Sequence, residues 1–138
     1  MNNAIYSIHR PENEPVLTYA PGTPERSELE KELKRISSET VEIPLIIGGK
    51  PVKTGRTGKI VMPHDHAHLL ATYHMAGEKE TIGAIEAARH AKEEWMTLSW
   101  VERASIMLKA AELLSRKYRF TVVAATMLGQ SKTVHQAE

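Results

Sequence analysis

The stretch AIEAARHAKEEW, residues 84–95, decides the class of fold because its apolar residues recur with the period of a helix. The residues of this face follow at intervals of four, three and four: Ala84, Ala88, Ala91 and Trp95. Its alanines let the face approach a neighbouring element closely, while Arg89, His90 and Lys92 occupy the solvated side. We therefore expect an amphipathic helix that begins near Glu78 and packs through its alanines.

Two further helices are predicted downstream of this stretch. Ser99 and Glu102 have the spacing of a capping box, which begins the first of them. Its buried face is expected to consist of apolar residues: Ile106, Met107, Ala110, Ala111, Leu113 and Leu114. The next helix, at about residues 119–128, is apolar nearly all round, as helices buried on several sides are.

The last stretch, residues 129–138, reads GQSKTVHQAE and predicts the opening of another helix. Gly129 is expected to end the preceding helix, and Ser131 or Thr133 offers a side-chain oxygen to cap the new one. Thr133 and Gln136 also have capping-box spacing. So little sequence follows Gln136 that this helix has no room to bury a face. We therefore expect the chain to be a fragment of a larger protein.

Residues 1–22 predict an extended arm, because they contain prolines and a glycine but no sustained period. Thr23 is expected to cap a helix whose first position is Pro24. One narrow apolar stripe runs along this helix: Leu29, Leu33 and Ile36. Glu30 and Lys34 are placed for an ion pair on its charged side. The helix is therefore expected to pack along one side only.

A small antiparallel β unit is predicted next. Residues 43–47 (IPLII) lead into Gly48 and Gly49, which suit a tight hairpin turn before a returning strand at residues 50–54. A second turn at residues 55–58 precedes further strand candidates: residues 59–62 and 69–75. The edges of such a unit are exposed and need a partner.

These patterns predict a mixed α and β chain that is mainly helical and carries a small antiparallel β unit. We divide it into an arm with an amphipathic helix at residues 1–40, the β unit at 41–76 and a helical part at 77–138. An alanine-rich face, an apolar helix and open strand edges all require a partner surface. Self-association through exposed apolar faces is therefore expected.

Composition places the chain among ordinary globular proteins, with 41% hydrophobic and 25% charged residues. A formal net charge of +1 gives no reason to expect nucleic acid or an anionic membrane as a partner. The chain has no cysteine, which excludes thiolate metal sites and a cysteine nucleophile within it. Its first residues lack the pattern of a targeting signal, so a cytoplasmic location is expected.

One histidine cluster has the composition of a metal site: His64, Asp65, His66, His68 and His74. Histidines at alternate positions of an extended segment point the same way, and imidazole suits zinc, copper or nickel. Pro63 and the lack of a clear acidic partner favour the simpler interpretation, a polar turn before a strand. We therefore predict no metal site here.

The remaining candidates also have structural explanations. Backbone N–H groups near Gly129 and Ser131, together with Lys132, could hold an anion at a helix start, but a connection between helices is favoured. Trp95 and Trp100 are interpreted as core anchors. No carboxylate pair has a spacing that indicates acid and base roles. The residues alone thus predict no catalytic, cofactor-binding or metal-binding residue.

Several separated stretches together resemble one enzyme family. They are NEPVL at 13–17, GTPER at 22–26, AIEAARHAKEEW at 84–95, Arg103, LKAA at 108–111 and MLGQSKTVHQAE at 127–138. In this order they are similar to the N-terminal quarter of the Δ1-pyrroline-5-carboxylate dehydrogenases, also called L-glutamate γ-semialdehyde dehydrogenases. These enzymes belong to the aldehyde dehydrogenase superfamily.

The resemblance implies NAD-dependent oxidation of glutamate γ-semialdehyde to glutamate in proline and arginine breakdown. In that family a cysteine thiolate attacks the aldehyde, hydride passes to NAD and a glutamate-activated water releases the acid. All of these groups would lie beyond residue 138, so residues 77–138 would be the helical part of an incomplete NAD-binding domain. The chain alone is then expected to bind no NAD and to be inactive. The alternative is a stand-alone helical module for self-association or docking, without catalysis.

Overall fold

The computed structural model describes Ile5, Ser7, Arg10 and residues 12–138. The described part contains these helices: α1 (Pro24–Ser38), α2 (Glu78–Thr97), α3 (Trp100–Glu112), α4 (Arg119–Gln130) and α5 (Val134–Ala137). A π-helical turn, Leu113–Lys117, joins α3 to α4. The strands are β1 (Val41–Ile43), β2 (Leu45–Ile47), β3 (Lys50–Val52), β4 (Thr57–Met62) and β5 (Asp65–His74). The mixed, mainly helical class predicted from the sequence is confirmed.

The helix starts follow the local capping signals. Pro24 occupies the first turn of α1, and Ser99 and Glu102 form the predicted capping box of α3. Thr133 and Gln136 form the predicted capping box of α5, in which the Thr133 N–H donates to Gln136 Oε1 at 2.9 Å. The predicted stop at Gly129 is wrong, because α4 continues to Gln130 and ends where Ser131 adopts a left-handed φ of 52°.

The β unit is not wholly antiparallel. Strands β1, β5 and β4 form one sheet in that order, with β1 parallel to β5 and β4 antiparallel to it. Strands β2 and β3 form a separate antiparallel pair. Pro44 separates β1 from β2 and has no N–H for a sheet ladder. The chain therefore leaves the first sheet at Pro44 and starts the second.

Glycine is required at two places in these sheets. Gly48 and Gly49 have φ of 56° and 75°, the conformation that a two-residue hairpin turn needs. Gly58 lies opposite Tyr73 on β5, and a Cβ there would clash with the tyrosine ring. The ring of Tyr73 thus covers the backbone of β4 where no side chain stands.

The core lies where α1 crosses α4. Four buried residues form it: Tyr19, Leu29, Val123 and Ala124. The rings of Tyr19 and Phe120 meet edge to face with centroids 6.5 Å apart, a favourable aromatic geometry. The predicted pair of Glu30 with Lys34 is wrong, since Glu30 accepts from Arg26 Nε at 2.9 Å. Arg26 lies one turn earlier on the same face and its planar group reaches the carboxylate.

Helices α2 and α3 contain no buried residue. The predicted buried face of α3 is wrong for this chain, because Ile106, Met107 and Leu114 are 48%, 60% and 58% exposed. Trp95 and Trp100 are not core anchors either, since both are at least one-third exposed. These helices have the apolar faces that the sequence predicts, but most of their large apolar side chains stay exposed within the described residues. Within the described residues, no helix combines the length and the apolar character that crossing a membrane requires.

Candidate functional site

A largely buried cluster of interacting titratable groups joins the arm to α4 and α5. Glu138, directly after α5, accepts a hydrogen bond from Tyr19 Oη at 2.5 Å and from the Leu17 N–H at 3.3 Å. Arg119, at the start of α4, forms an ion pair with the same carboxylate and donates to the Pro15 carbonyl at 2.6 Å. The side chains of Glu138 and Arg119 are only 4% and 13% exposed. We call Tyr19, Arg119 and Glu138 the arm junction.

Local structure positions each member of the arm junction. The capping box at Thr133 begins α5 and sets the direction in which Glu138 leaves it. Tyr19 has a left-handed φ of 52°, a conformation that costs about 1–3 kcal/mol for a residue other than glycine. Burial of its ring in the core and its hydrogen bond to Glu138 offset this strain.

Burial and hydrogen bonding shift the pKa values of this cluster in different directions. Burial, followed by the hydrogen bond to the Glu138 carboxylate, raises the pKa of Tyr19 to about 12. Burial acts to raise the pKa of Glu138 too, but the hydrogen bonds from Arg119, Tyr19 and Leu17 outweigh it and lower that pKa. The same carboxylate raises the pKa of Arg119. The arm junction therefore holds a carboxylate, a guanidinium and a neutral phenol.

This geometry does not provide an acid or a base. The carboxylate of Glu138 already accepts three donors, which occupy most of its roughly four acceptor positions. The adjoining cavity of about 370 Å³ is lined by Leu114, Val122 and Val123 as well as by Arg119 and Glu138. The arm junction thus has a structural role, because it holds the arm against α4 and α5.

The phenol of Tyr19 is expected to titrate at about pH 12 rather than at its ordinary value of 10.0. Because the folded pKa is raised, the associated stability is complete below pH 10 and is lost as the pH rises through about 12. The tyrosinate absorbance of wild type minus that of Tyr19→Phe isolates this one group. A difference curve with its midpoint at pH 10 or below would contradict the described junction.

The histidines of the predicted cluster do not converge on one point. His64 Nδ1 lies 2.7 Å from Ser131 Oγ, and His68 Nε2 donates to the Ser37 carbonyl at 2.8 Å. His66 is exposed. No group of three or more potential metal ligands is brought together within the described part of the chain.

His74 has a role that sequence reasoning missed. Its ring is buried, and Nδ1 accepts hydrogen bonds from the N–H groups of Thr54 and Gly55 at 3.0 and 3.3 Å. Its Nε2 therefore carries the proton and donates to Glu42 Oε1 at 2.8 Å, while Glu42 also pairs with Lys53. The hydrogen bonds from Lys53 and then His74 lower the pKa of Glu42. His74 thus ties β1 and the turn after β3 to β5.

A groove of about 470 Å³ lies beside the candidate anion site. Ser131 and Lys132 line it together with His64 and Lys34. However, α1 and α4 both end here, so their dipoles present partial negative charge to the groove. In addition, α5 is a single turn. The two helix C-termini make this groove less favourable for an anion than a helix start would be, which favours the predicted connection between helices.

Comparison with protein families places this fold in a class. The model of the aldehyde dehydrogenase family matches residues 52–138. The chain therefore belongs to the aldehyde dehydrogenase family.

Within that family, the similar proteins share one name. The chain is 47% identical over 140 residues to a delta-1-pyrroline-5-carboxylate dehydrogenase of Agaricus bisporus, a match that covers 98% of this chain and 25% of that relative. It is 40% identical over 132 residues to the mitochondrial enzyme of that name from Dictyostelium discoideum, covering 96% of this chain and 24% of that relative.

Solved structures agree with these relatives. The Mycobacterium tuberculosis delta-pyrroline-5-carboxylate dehydrogenase bound with NAD and cobalamin superposes with a TM-score of 0.95 at 42% identity. That match covers 100% of this chain and 26% of that one. The chain thus spans about a quarter of the length of the proteins it matches, and the predicted likeness to an N-terminal segment of such enzymes is confirmed.

Proposed function

We propose that this chain forms the N-terminal part of an NAD-dependent 1-pyrroline-5-carboxylate dehydrogenase, which oxidises glutamate γ-semialdehyde to glutamate. The observation that carries the proposal is its close superposition, over its whole length, on a segment of the Mycobacterium tuberculosis enzyme. In this proposal the chain supplies a β unit, an arm and helices that support a catalytic centre built elsewhere. The arm junction fastens the arm within that support.

The chain alone is expected to be catalytically incompetent. It contains no cysteine, and the reaction of the family that it resembles uses a thiolate nucleophile. The Glu138 carboxylate is held by three donors at the arm junction, so we do not expect it to act as an acid or a base. We expect NAD to bind the complete enzyme and not this segment.

A second candidate function is a stand-alone helical module that self-associates or docks without catalysis. The exposed apolar faces of α2 and α3 favour it, because such faces associate in water. We expect self-association of the isolated chain, a cytoplasmic location and no binding to nucleic acid or membranes. The Dictyostelium relative, by contrast, is named a mitochondrial protein.

A chimera tests the function directly. This chain replaces the matching quarter of the Mycobacterium tuberculosis enzyme, and NADH formation with the semialdehyde is compared with that of the parent enzyme. We expect the activity of the chimera to lie within about tenfold of the parent enzyme, which corresponds to a loss of roughly 1.4 kcal/mol or less in transition-state stabilisation. We expect no activity from the isolated chain. A folded, NAD-binding chimera without activity would contradict the proposed function. NADH formation by the isolated chain would contradict its incompetence, and a discrete, cooperatively unfolding oligomer would favour the stand-alone module.

A further inference from the structure

The chain exposes far more surface than a folded protein of its mass. Its accessible surface is 10871 Å², whereas a compact monomer of 15.4 kDa exposes about 7,200 Å², so the excess is roughly 3,700 Å². Residues 12–18, before α1, are mostly exposed and account for part of this excess. Folded elements whose apolar side chains are exposed account for the rest.

Helices α2 and α3 are those elements. Neither has a buried residue, and both carry large apolar side chains that are about half exposed or more, such as Ile85 at 56% and Leu108 at 64%. Ala87 on α2 lies against Gly48 at the end of β2. Ala84, Ala88 and Ala91 are exposed, and of these Ala91 also borders the groove that Ala87 and Gly48 line. The alanine face of α2, defined by these three residues, is thus unoccupied by the described chain.

The size of the excess argues against a second copy as the partner. A standard interface buries roughly 800 Å² per partner, and large obligate interfaces bury roughly 1,000–2,500 Å². One symmetric contact of standard size would therefore leave much of the excess uncovered. The relatives, in contrast, are about four times as long as this chain, which covers only 25% of one and 26% of the other. A partner of that length is large enough to cover α2 and α3 together.

We propose that the alanine face of α2 binds the remaining three quarters of a 1-pyrroline-5-carboxylate dehydrogenase, even when that part is supplied as a separate polypeptide. The identity of this partner rests on the proposed function. Alanines permit close helix packing, at axis separations near the lower end of about 8–10 Å. A long charged side chain on this face therefore blocks the contact, while the same side chain on the opposite face does not.

Ala88→Lys and His90→Lys form a matched pair for the test. Residues two apart lie about 200° around a helix, so the two lysines stand on opposite faces of α2. Both positions are exposed in this chain, and lysine has good helix propensity, so both variants are expected to fold as wild type does. Circular dichroism of each variant checks this expectation.

Each variant is co-refolded with the Mycobacterium tuberculosis enzyme lacking its matching quarter. Size-exclusion chromatography with light scattering then measures a heteromer containing one copy of each polypeptide per subunit. We expect wild type and His90→Lys to form it and Ala88→Lys to bind at least tenfold more weakly. Ala88→Lys is also expected to lower the melting temperature of the unsplit chimera relative to His90→Lys.

The outcomes separate docking from catalysis. A heteromer that forms without activity supports docking and counts against the proposed function alone. Absence of a heteromer, under conditions in which the unsplit enzyme refolds, overturns the proposal. Equal binding by Ala88→Lys and His90→Lys overturns the assignment to the alanine face. A homo-oligomer of this chain that Ala88→Lys disrupts, without a heteromer, assigns the face to a second copy instead.

Discussion

Arg119→Ala is expected to destabilise the folded chain by about 3–5 kcal/mol, because it leaves a buried carboxylate without its cation. The Glu138 side chain is 4% exposed, and only the Tyr19 hydroxyl and the Leu17 N–H would remain as donors. The same substitution removes the hydrogen bond to the Pro15 carbonyl, so the arm loses a second attachment. Urea denaturation followed by circular dichroism, at matched protein concentration, measures the loss.

Arg116→Ala is the matched control for this substitution. Arg116 lies in the π-helical turn just before α4 and is exposed, so its loss is expected to cost less than about 0.5 kcal/mol. If Arg119→Ala and Arg116→Ala had the same free energy of unfolding, the ion pair between Arg119 and Glu138 would not stabilise the arm junction. The double variant Arg119→Met with Glu138→Met should recover much of the loss, because it removes both buried charges together.

The pH dependence of this loss has a definite sign. The pKa of Glu138 is lowered in the folded chain, so its contribution is complete above its ordinary value of 4.5 and is lost as the pH falls through the lower folded value. The difference in the free energy of unfolding between wild type and Arg119→Ala should therefore shrink as the solution becomes acidic. If the difference in the free energy of unfolding between wild type and Arg119→Ala stayed constant down to pH 2, the ionised carboxylate of Glu138 would not be the group that Arg119 stabilises.

The elements that sequence reasoning predicts well are those fixed by neighbouring residues. The capping boxes at Ser99 and Thr133 and the glycine hairpin at Gly48 each depend on residues within a few positions. The arm junction could not be predicted in this way. Tyr19 and Glu138 are separated by 119 positions, and neither lies in a pattern that indicates its partner.

The sequence also predicts apolar faces without saying what covers them. Periodicity shows that Ile106 and Leu114 share a face, but burial depends on a surface that the pattern does not contain. The parallel pairing of β1 with β5 has the same cause, since strand direction depends on the path of the intervening chain. His74 resembled a metal ligand until its contacts with Glu42 and the turn after β3 were visible.

Leu29→Ala is expected to destabilise the chain by about 2–5 kcal/mol. Leu29 is 4% exposed and packs in the small core with Tyr19, Val123 and Ala124. Its truncation removes apolar burial and leaves a cavity between α1 and α4, whose closure would require those helices to move together. Urea denaturation measures this loss, and hydrogen exchange should show it first in the amides of α1 and α4.

Leu108→Ala makes the identical chemical change at a site that is 64% exposed. In the isolated chain it should therefore cost less than about 0.5 kcal/mol. In the chimera with the Mycobacterium tuberculosis enzyme the same substitution should cost clearly more, because the partner that we propose for α2 and α3 would bury this side chain. If Leu108→Ala were as harmless in the chimera as in the isolated chain, α3 would remain uncovered there. The difference between the two leucines thus separates the core that this chain makes by itself from the one that it completes with a partner.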